Sequence, residues 1–463
     1  MILSRRSALG GMAATCAGTS AGAWTARAGE PAFRLATFAA DVTPPVGHPC
    51  MGGGVAPARE VLDPLSARGV ILAGGGDDRP VVIAAVDWCE IRNDAYDRWR
   101  EAIAEAAGTT RERVMLSSVH QHDAPVADLE AQRLLEAHGA AGAICDLAFH
   151  ETAVRRVAGA VREAWKTSQP VTHVGMGRAS VMDVASNRRT VDPDGTPRFD
   201  RMSATRDAAL RARPAGLIDP VVRSLSFYDG DTPRASLFAY AVHPMSHYGG
   251  GGVSSDFVGR ARAMAEDGEP GGFAVYLSGC SGNTVAGKHN DGDPANRPRL
   301  AARLHRAMAD ASRATRRVPL RTLAFRNVPF TLPLREEAAF GEASLLRRIQ
   351  TDERPFGQCL AALGLSWRRR VEAGRTLDLP VLDLGAAVHA LLPAEAYVEF
   401  QLAAQAMRPD AFVTVAGYGE CGPGYIPTEQ ARREGDSNLG DWCWVGPGAA
   451  EALRVAMRSA LVG

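Results

Sequence analysis

The stretch that decides the fold runs from Val81 to His122. It reads Val81-Val-Ile-Ala-Ala-Val86, then a helical pattern from Asp94 to Ala107 stopped by Gly108, then Val114-Met-Leu-Ser-Ser-Val-His120-Gln-His122. An apolar run rich in Val and Ile predicts a buried strand, and apolar residues at helical spacing before a glycine predict a capped helix. A second apolar run then delivers His120 at its C-terminal end. Strand, helix, strand in that order predicts an α/β layer. Upstream, Val70 to Leu72 and the turn Gly74-Gly-Gly-Asp-Asp78 make a hairpin with Val81–Val86.

Working outward, Leu35 to Asp41 reads as a strand stopped by Pro44 and Pro45, and Ala127 to Trp165 as a helical region broken near Gly139 and Gly142. Residues 187–215 are polar, Arg-rich and aperiodic, an irregular excursion. Ser224 to Phe227 and Ser236 to Val242 form a second strand pair that brings His243 to a strand end. A helix over 257–266 and a strand over 273–277 then lead into the Gly279-Cys-Ser-Gly-Asn283 loop. The last third reads as helices over 299–313, 336–350, 354–373, 394–406 and 449–461, with strands over 320–330, 379–384, 387–391 and 412–416. The expected fold class is α/β: layered mixed β-sheets flanked by helices, in a single large catalytic domain. Loops at strand ends on such a scaffold are where chemistry collects.

The bulk numbers narrow the function. Of 463 residues, 46% are hydrophobic and 22% charged, as in ordinary globular proteins. Lys plus Arg and Asp plus Glu are both 52, so no broad positive field exists to concentrate nucleic acid. No segment beyond the N-terminus approaches the ~20 apolar residues of a membrane span. The N-terminus carries Arg5-Arg6, an Ala/Gly-rich stretch with Cys16, and Ala26-Arg27-Ala28. That order predicts a twin-arginine-type export signal over residues 1–28, with a periplasmic or secreted mature domain over 29–463. The seven remaining cysteines, at 50, 89, 145, 280, 359, 421 and 443, contain no C-x-x-C pair, so a metal would need His and oxygen ligands. A Cys421–Cys443 bridge is conceivable.

His120 and His122 alternate at a strand end, so both imidazoles point to one face if the pleat continues. Such a pair suits a metal but does not by itself require one. His243-Pro-Met-Ser-His247 offers a second pair, and Glu395 in Leu392-Pro-Ala-Glu395 is a lone acid at the start of the predicted helix.

An ordered set of motifs then resembles the neutral, non-lysosomal ceramidase family over nearly the whole mature sequence. It comprises Asp41-Val-Thr-Pro-Pro45, Val114 to Pro125, Asn187-Arg-Arg189, Gly216 to Pro220, His243, Ser255-Asp-Phe-Val-Gly259, Ser278 to Asn283, Leu392 to Glu395, and Gly424-Tyr-Ile-Pro-Thr428. The resemblance implies a zinc ion held by His120, His243, Glu395 and Tyr425. It also implies that His122 assists proton transfer and that Arg188 holds a polar group or stabilises developing negative charge. Asp256 and Asn283, with His247, are further candidates for the substrate pocket. The corresponding chemistry is amide hydrolysis, zinc acidifying water toward a pKa of ~7 and polarising the carbonyl while His moves a proton to the leaving amine.

Departures are equally informative. Where the family carries an acidic residue followed by Ser-Pro, this sequence has Asn283 and Val285-Ala286. A second family tyrosine falls near Ser437, and the sequence stops about where the family's C-terminal immunoglobulin-like domain would begin. The resemblance thus supports metal-dependent hydrolysis more firmly than ceramide, or any other lipid, as substrate. The polar stretches 187–213 and 287–292 suggest a second reading, an amidase or esterase acting on a sugar or small metabolite. A third is an exported binding protein that has lost catalysis.

Overall fold

The apolar runs pair into three main sheets. The computed structural model describes residues 33–74, 77–268 and 272–463, so the export signal expected over 1–28 lies outside the described residues. In the first sheet β1 (Phe33–Asp41), β2 (Ser66–Gly74), β3 (Asp77–Val86), β4 (Val114–Ser118) and β5 (Gln169–Val171) lie in the order β4-β3-β2-β1-β5. The predicted hairpin is β2 and β3, antiparallel with Val70 opposite Ile83. β4 runs parallel to β3, Ile83 opposite Met115, after the crossover helix Asn93–Ala107. Gly108 closes that helix in the left-handed conformation, at φ 70°, which glycine adopts without steric cost.

The other two sheets repeat this plan. β6 (His173–Ser180), β7 (Val221–Asp229), β8 (Thr232–Tyr240), β9 (Ala274–Ser278) and β10 (Arg316–Pro319) are ordered β9-β8-β7-β6-β10, and β9 is parallel to β8 across the helix Asp256–Asp267. β11 (Ala324–Phe330), β12 (Leu377–Asp383), β13 (Ala387–Leu391) and β14 (Phe412–Ala416) follow in order, with β14 parallel to β13 across the helix Val398–Met407. Each sheet therefore carries an antiparallel hairpin edged by a parallel strand. Strands β4, β9 and β13 are buried along their whole length, so none of them shows the strict apolar–polar alternation of a half-exposed strand.

The parallel pairs meet one another: β9 packs on β3 and β4, β13 on β4, and β8 on β14. Apolar cores flank the junction, one around Trp88, Trp99 and Phe400 and another around Phe227, Phe257 and Tyr276. The described residues form one unit, matching the expected mixed α/β layering. Among the described residues no helix is long and apolar enough to cross a membrane. All seven described cysteines are buried and free, Cys421 and Cys443 included.

Three segments differ from expectation. β6 has no counterpart among the expected strands, and it carries Gly175 and Gly177, which weaken a strand pattern. A Cβ at Gly177 would lie 2.0 Å from the Ala311 carbonyl of the helix Asn296–Arg313, so glycine is what lets that helix approach the sheet. The helix predicted from 394 starts at Val398, while Glu395–Ala396 form a short parallel ladder with Tyr425–Ile426. The excursion 187–215 contains small ladders and the helix Ala208–Ala212, drawn together by the fully buried Arg201, which donates to the carbonyls of Asn187, Pro214 and Ala215.

The end of β3 is pinned by Asp87. Its buried carboxylate accepts from the Ser66 backbone at 2.8 Å and from both Arg262 Nη atoms at 2.7 and 2.9 Å. Replacing Arg262 with Leu leaves that charge buried without its cation, and we expect a loss of about 3–5 kcal/mol in urea unfolding. Adding Asp87→Asn should restore part of the loss, because a neutral amide removes the stranded charge.

Candidate metal centre

The carboxyl ends of the three parallel pairs point to one place. His120 stands two residues beyond β4, His243 three beyond β8, and Glu395 four beyond β13. Backbone bonds cross between the sheets here. Tyr418 donates to the Ala394 carbonyl at 3.1 Å and accepts from Ser118 at 2.9 Å, Gly417 donates to Ser278 at 2.8 Å, and Gly282 donates to Ala396 at 3.1 Å. His120, Ala394 and Tyr418 all have positive φ, at 76°, 55° and 56°. Such backbone strain in non-glycine residues gathers where a structure must aim particular side chains.

The two imidazoles are oriented by carbonyls. His120 Nδ1 lies 2.8 Å from the Cys89 carbonyl and His243 Nδ1 2.6 Å from that of Ser281. A carbonyl only accepts, so both Nδ1 atoms carry the proton and both Nε2 atoms present lone pairs. Those Nε2 atoms are 3.2 Å apart, and Glu395 Oε2 lies 3.2 Å from His120 Nε2 and 3.0 Å from His243 Nε2. The Glu395 carboxylate oxygen completes the set as a third electron-pair donor. Burial, followed by Arg188, pushes His243 down to about 4.

Three acceptors thus converge within 3.2 Å, and Glu395 Oε2 has no hydrogen-bond donor. Buried acceptors facing one another repel unless a cation lies between them. Tetrahedral ligands at ~2.0–2.1 Å from zinc sit roughly 3.3 Å apart, so this donor set fits a small divalent cation. The outer carbonyls are the partners that fix metal-binding histidines.

Around the triad, Tyr425 is aligned with Glu395 by their ladder, and its hydroxyl accepts from Arg188 Nη1 at 2.7 Å. Arg188 Nη2 lies 3.4 Å from His243 Nε2, and its Nε has no partner. His122 is buried beside His120, ring centroids 5.1 Å apart, with both ring nitrogens unpartnered. Burial, then His120 and His243, lowers its pKa well below 6.5, leaving a neutral imidazole.

His120, His122, Glu395 and Tyr425 open onto a cleft of about 390 Å³. Met51, Phe356, Leu360 and Trp442 give it an apolar wall, and the exposed Arg354, Ser437 and Asp441 its rim. The remaining pocket candidates lie elsewhere. Asn283 lines a separate cavity of about 260 Å³, bonded to Glu399 at 2.9 Å and to the Val398 backbone at 2.9 Å. Asp256 is taken up by Ser246, whose hydroxyl donates at 2.6 Å, and by Phe257. His247 is exposed, and only its carbonyl bonds, to Arg297. The excursion 187–213 borders the second cavity through Arg189, Val191 and Arg213, so its polarity does not describe the cleft.

Sequence reading overlooked three residues. Tyr418 stacks on His120 at 4.2 Å and hydrogen-bonds Ser281 at 2.7 Å. Its place two residues beyond β14, like that of His120 beyond β4, is the signal that could have found it. Tyr248 lies edge-on to His122, centroids 5.1 Å apart, from a glycine-rich loop that gives no such hint. Cys89 lines the cleft, its thiol pushed far up by burial and then by Glu90.

No family model and no curated protein matches this sequence. Solved structures do. The neutral ceramidase from Pseudomonas aeruginosa superposes with a TM-score of 0.68 at 17% identity, covering 93% of this chain and 74% of that one. A ceramidase complexed with C2 gives the same score and identity, covering 93% and 75%. The chain shares the neutral ceramidase fold.

A Cβ at Gly282 would lie 2.2 Å from the Glu395 carbonyl. Gly282→Ala should therefore displace the carboxylate and weaken divalent-cation binding by on the order of 10–100-fold in calorimetric titration, although the alanine itself touches no cation.

Proposed function

We propose that this protein is an exported zinc-dependent hydrolase that cleaves an N-acyl amide bond of a substrate with a substantial apolar group. The observation that carries the reading is the meeting of His120, His243 and Glu395 beside an unpartnered His122, in a cleft walled by Met51, Phe356, Leu360 and Trp442. The shared fold is consistent with it, since its structural neighbours are ceramidases. His120, His243 and Glu395 would hold the cation, with Tyr425 as the nearest further oxygen donor. When bound, zinc supplies Lewis-acid polarisation of the scissile carbonyl and makes water more acidic.

The remaining work falls to side chains. His122 takes the proton of the attacking water on a free ring nitrogen and passes it to the departing amine, which cannot leave as an anion. Arg188 keeps its charge in the buried site, orients the Tyr425 hydroxyl and offsets negative charge developing on the carbonyl oxygen. The apolar wall takes the hydrophobic part of the substrate and thins the water around the reacting atoms. Arg5-Arg6 and Ala26-Arg27-Ala28 support export, with a catalytic domain over 29–463.

Purified protein should contain about one zinc per chain. Glu395→Ala should lose the metal, whereas His122→Ala should retain it and lose ~10²–10⁴-fold in turnover. Fluorogenic N-acyl sphingosines, N-acyl sugars and short esters would be compared as substrates. Turnover unchanged after metal removal would overturn the proposal, and hydrolysis confined to sugars or esters would move the substrate to the polar class.

A further inference from the structure

Cys89 presents a thiol that the reaction does not use. Only its backbone carbonyl serves the triad, by holding His120 Nδ1. Its Sγ lies 4.0 Å from that nitrogen, and the donor atoms of Cys89, His120 and His122 all lie within 4.8 Å of one another. Cys89 and His122 are 1% and 7% exposed. Both line the cleft, and neither ring nitrogen of His122 has a hydrogen-bond partner. A buried polar side chain normally finds a partner, so an imidazole left open beside a thiol is a pair of donors awaiting an acceptor of electron pairs.

The chemistry of that pair is soft. Thiolate and imidazole together favour d¹⁰ cations, while hard cations prefer oxygen. With zinc–sulfur and zinc–nitrogen bonds of ~2.3 and ~2.1 Å, tetrahedral donors sit about 3.6 Å apart, and larger soft cations span more. Donors no more than 4.8 Å apart therefore need to close by at most about an ångström. His120 adds no donor, because its Nδ1 proton is already on the Cys89 carbonyl. Solvent in the cleft completes the coordination.

We propose that Cys89 Sγ and His122 form a second cation site beside the His120–His243–Glu395 triad, specific for thiophilic cations, and that filling it inhibits the enzyme. On binding, the sulfur–cation bond replaces the Cys89 S–H bond, one proton passes to solvent, and no redox change occurs. The inhibitory half rests on the proposed role of His122, whose free nitrogen the cation takes. The binding half does not.

Cd2+ tests both halves, with the metal-free full-length protein titrated in equilibrium dialysis and by ultraviolet thiolate-to-cadmium charge transfer. Wild type should bind two equivalents, one of them raising the charge-transfer band. Cys89→Ser and His122→Ala should each keep one equivalent and lose the band, whereas Glu395→Gln should lose one equivalent and keep it. A single equivalent in wild type, or a band that survives in Cys89→Ser or His122→Ala, overturns the site. In the zinc-loaded enzyme, Cys89→Ser should raise the Cd2+ concentration for half-inhibition by about ten-fold or more. Equal inhibition of both proteins overturns the inhibitory role while leaving the dialysis result standing, and the reading of the triad fails only if Glu395→Gln loses no equivalent.

Discussion

Two imidazoles can face each other at 3.2 Å across a buried centre because each gives its Nδ1 proton to a backbone carbonyl, His120 to Cys89 and His243 to Ser281. This pairing fixes the tautomer, and the tautomer turns two potential donors into two acceptors aimed at Glu395. Everything else in the centre follows from placing those carbonyls. Cys89 lies just past β3 and Ser281 just past β9, so each carbonyl comes from the strand that lies parallel to the one carrying its imidazole. The hydrogen bond that orients each ligand therefore spans the two strand ends of a single β-α-β unit.

Three such units supply the triad. Parallel strands joined by a crossover helix place both carboxyl ends at the same edge, where binding sites of open α/β sheets are found. Here three edges face each other, so the site lies inside the protein rather than on the rim of one sheet. Left-handed backbone at His120, Ala394 and Tyr418 costs roughly 1–3 kcal/mol apiece. The bonds crossing between sheets at Gly417, Tyr418 and Gly282 hold that conformation in place.

Much of this was legible in the sequence. The hairpin, the crossover and His120 at a strand end followed from apolar runs and glycine stops, because burial dictates those patterns locally. The roles of Arg188, Glu395 and Tyr425 came only through resemblance, since a contact such as that of Arg188 with Tyr425 joins residues 237 positions apart. β6 was illegible because its glycines serve the approach of a helix, a tertiary reason that imitates a local breaker. Asn283 and Asp256 lie away from the cleft, Asn283 bonded to the start of the helix Val398–Met407 and Asp256 to Ser246 and Phe257. The repeated plan of the three sheets left no sequence repeat, because a sheet edge constrains hydrophobicity and strand length more than residue identity.

The triad also bears on how the chain reaches its native state. His120 and His243 are 123 residues apart, and Glu395 lies later still, on a third sheet. No sheet formed early in synthesis owns more than one of these ligands. A growing chain consequently cannot bring two of the triad's ligands together until two sheets have docked, and the triad is complete only when all three have.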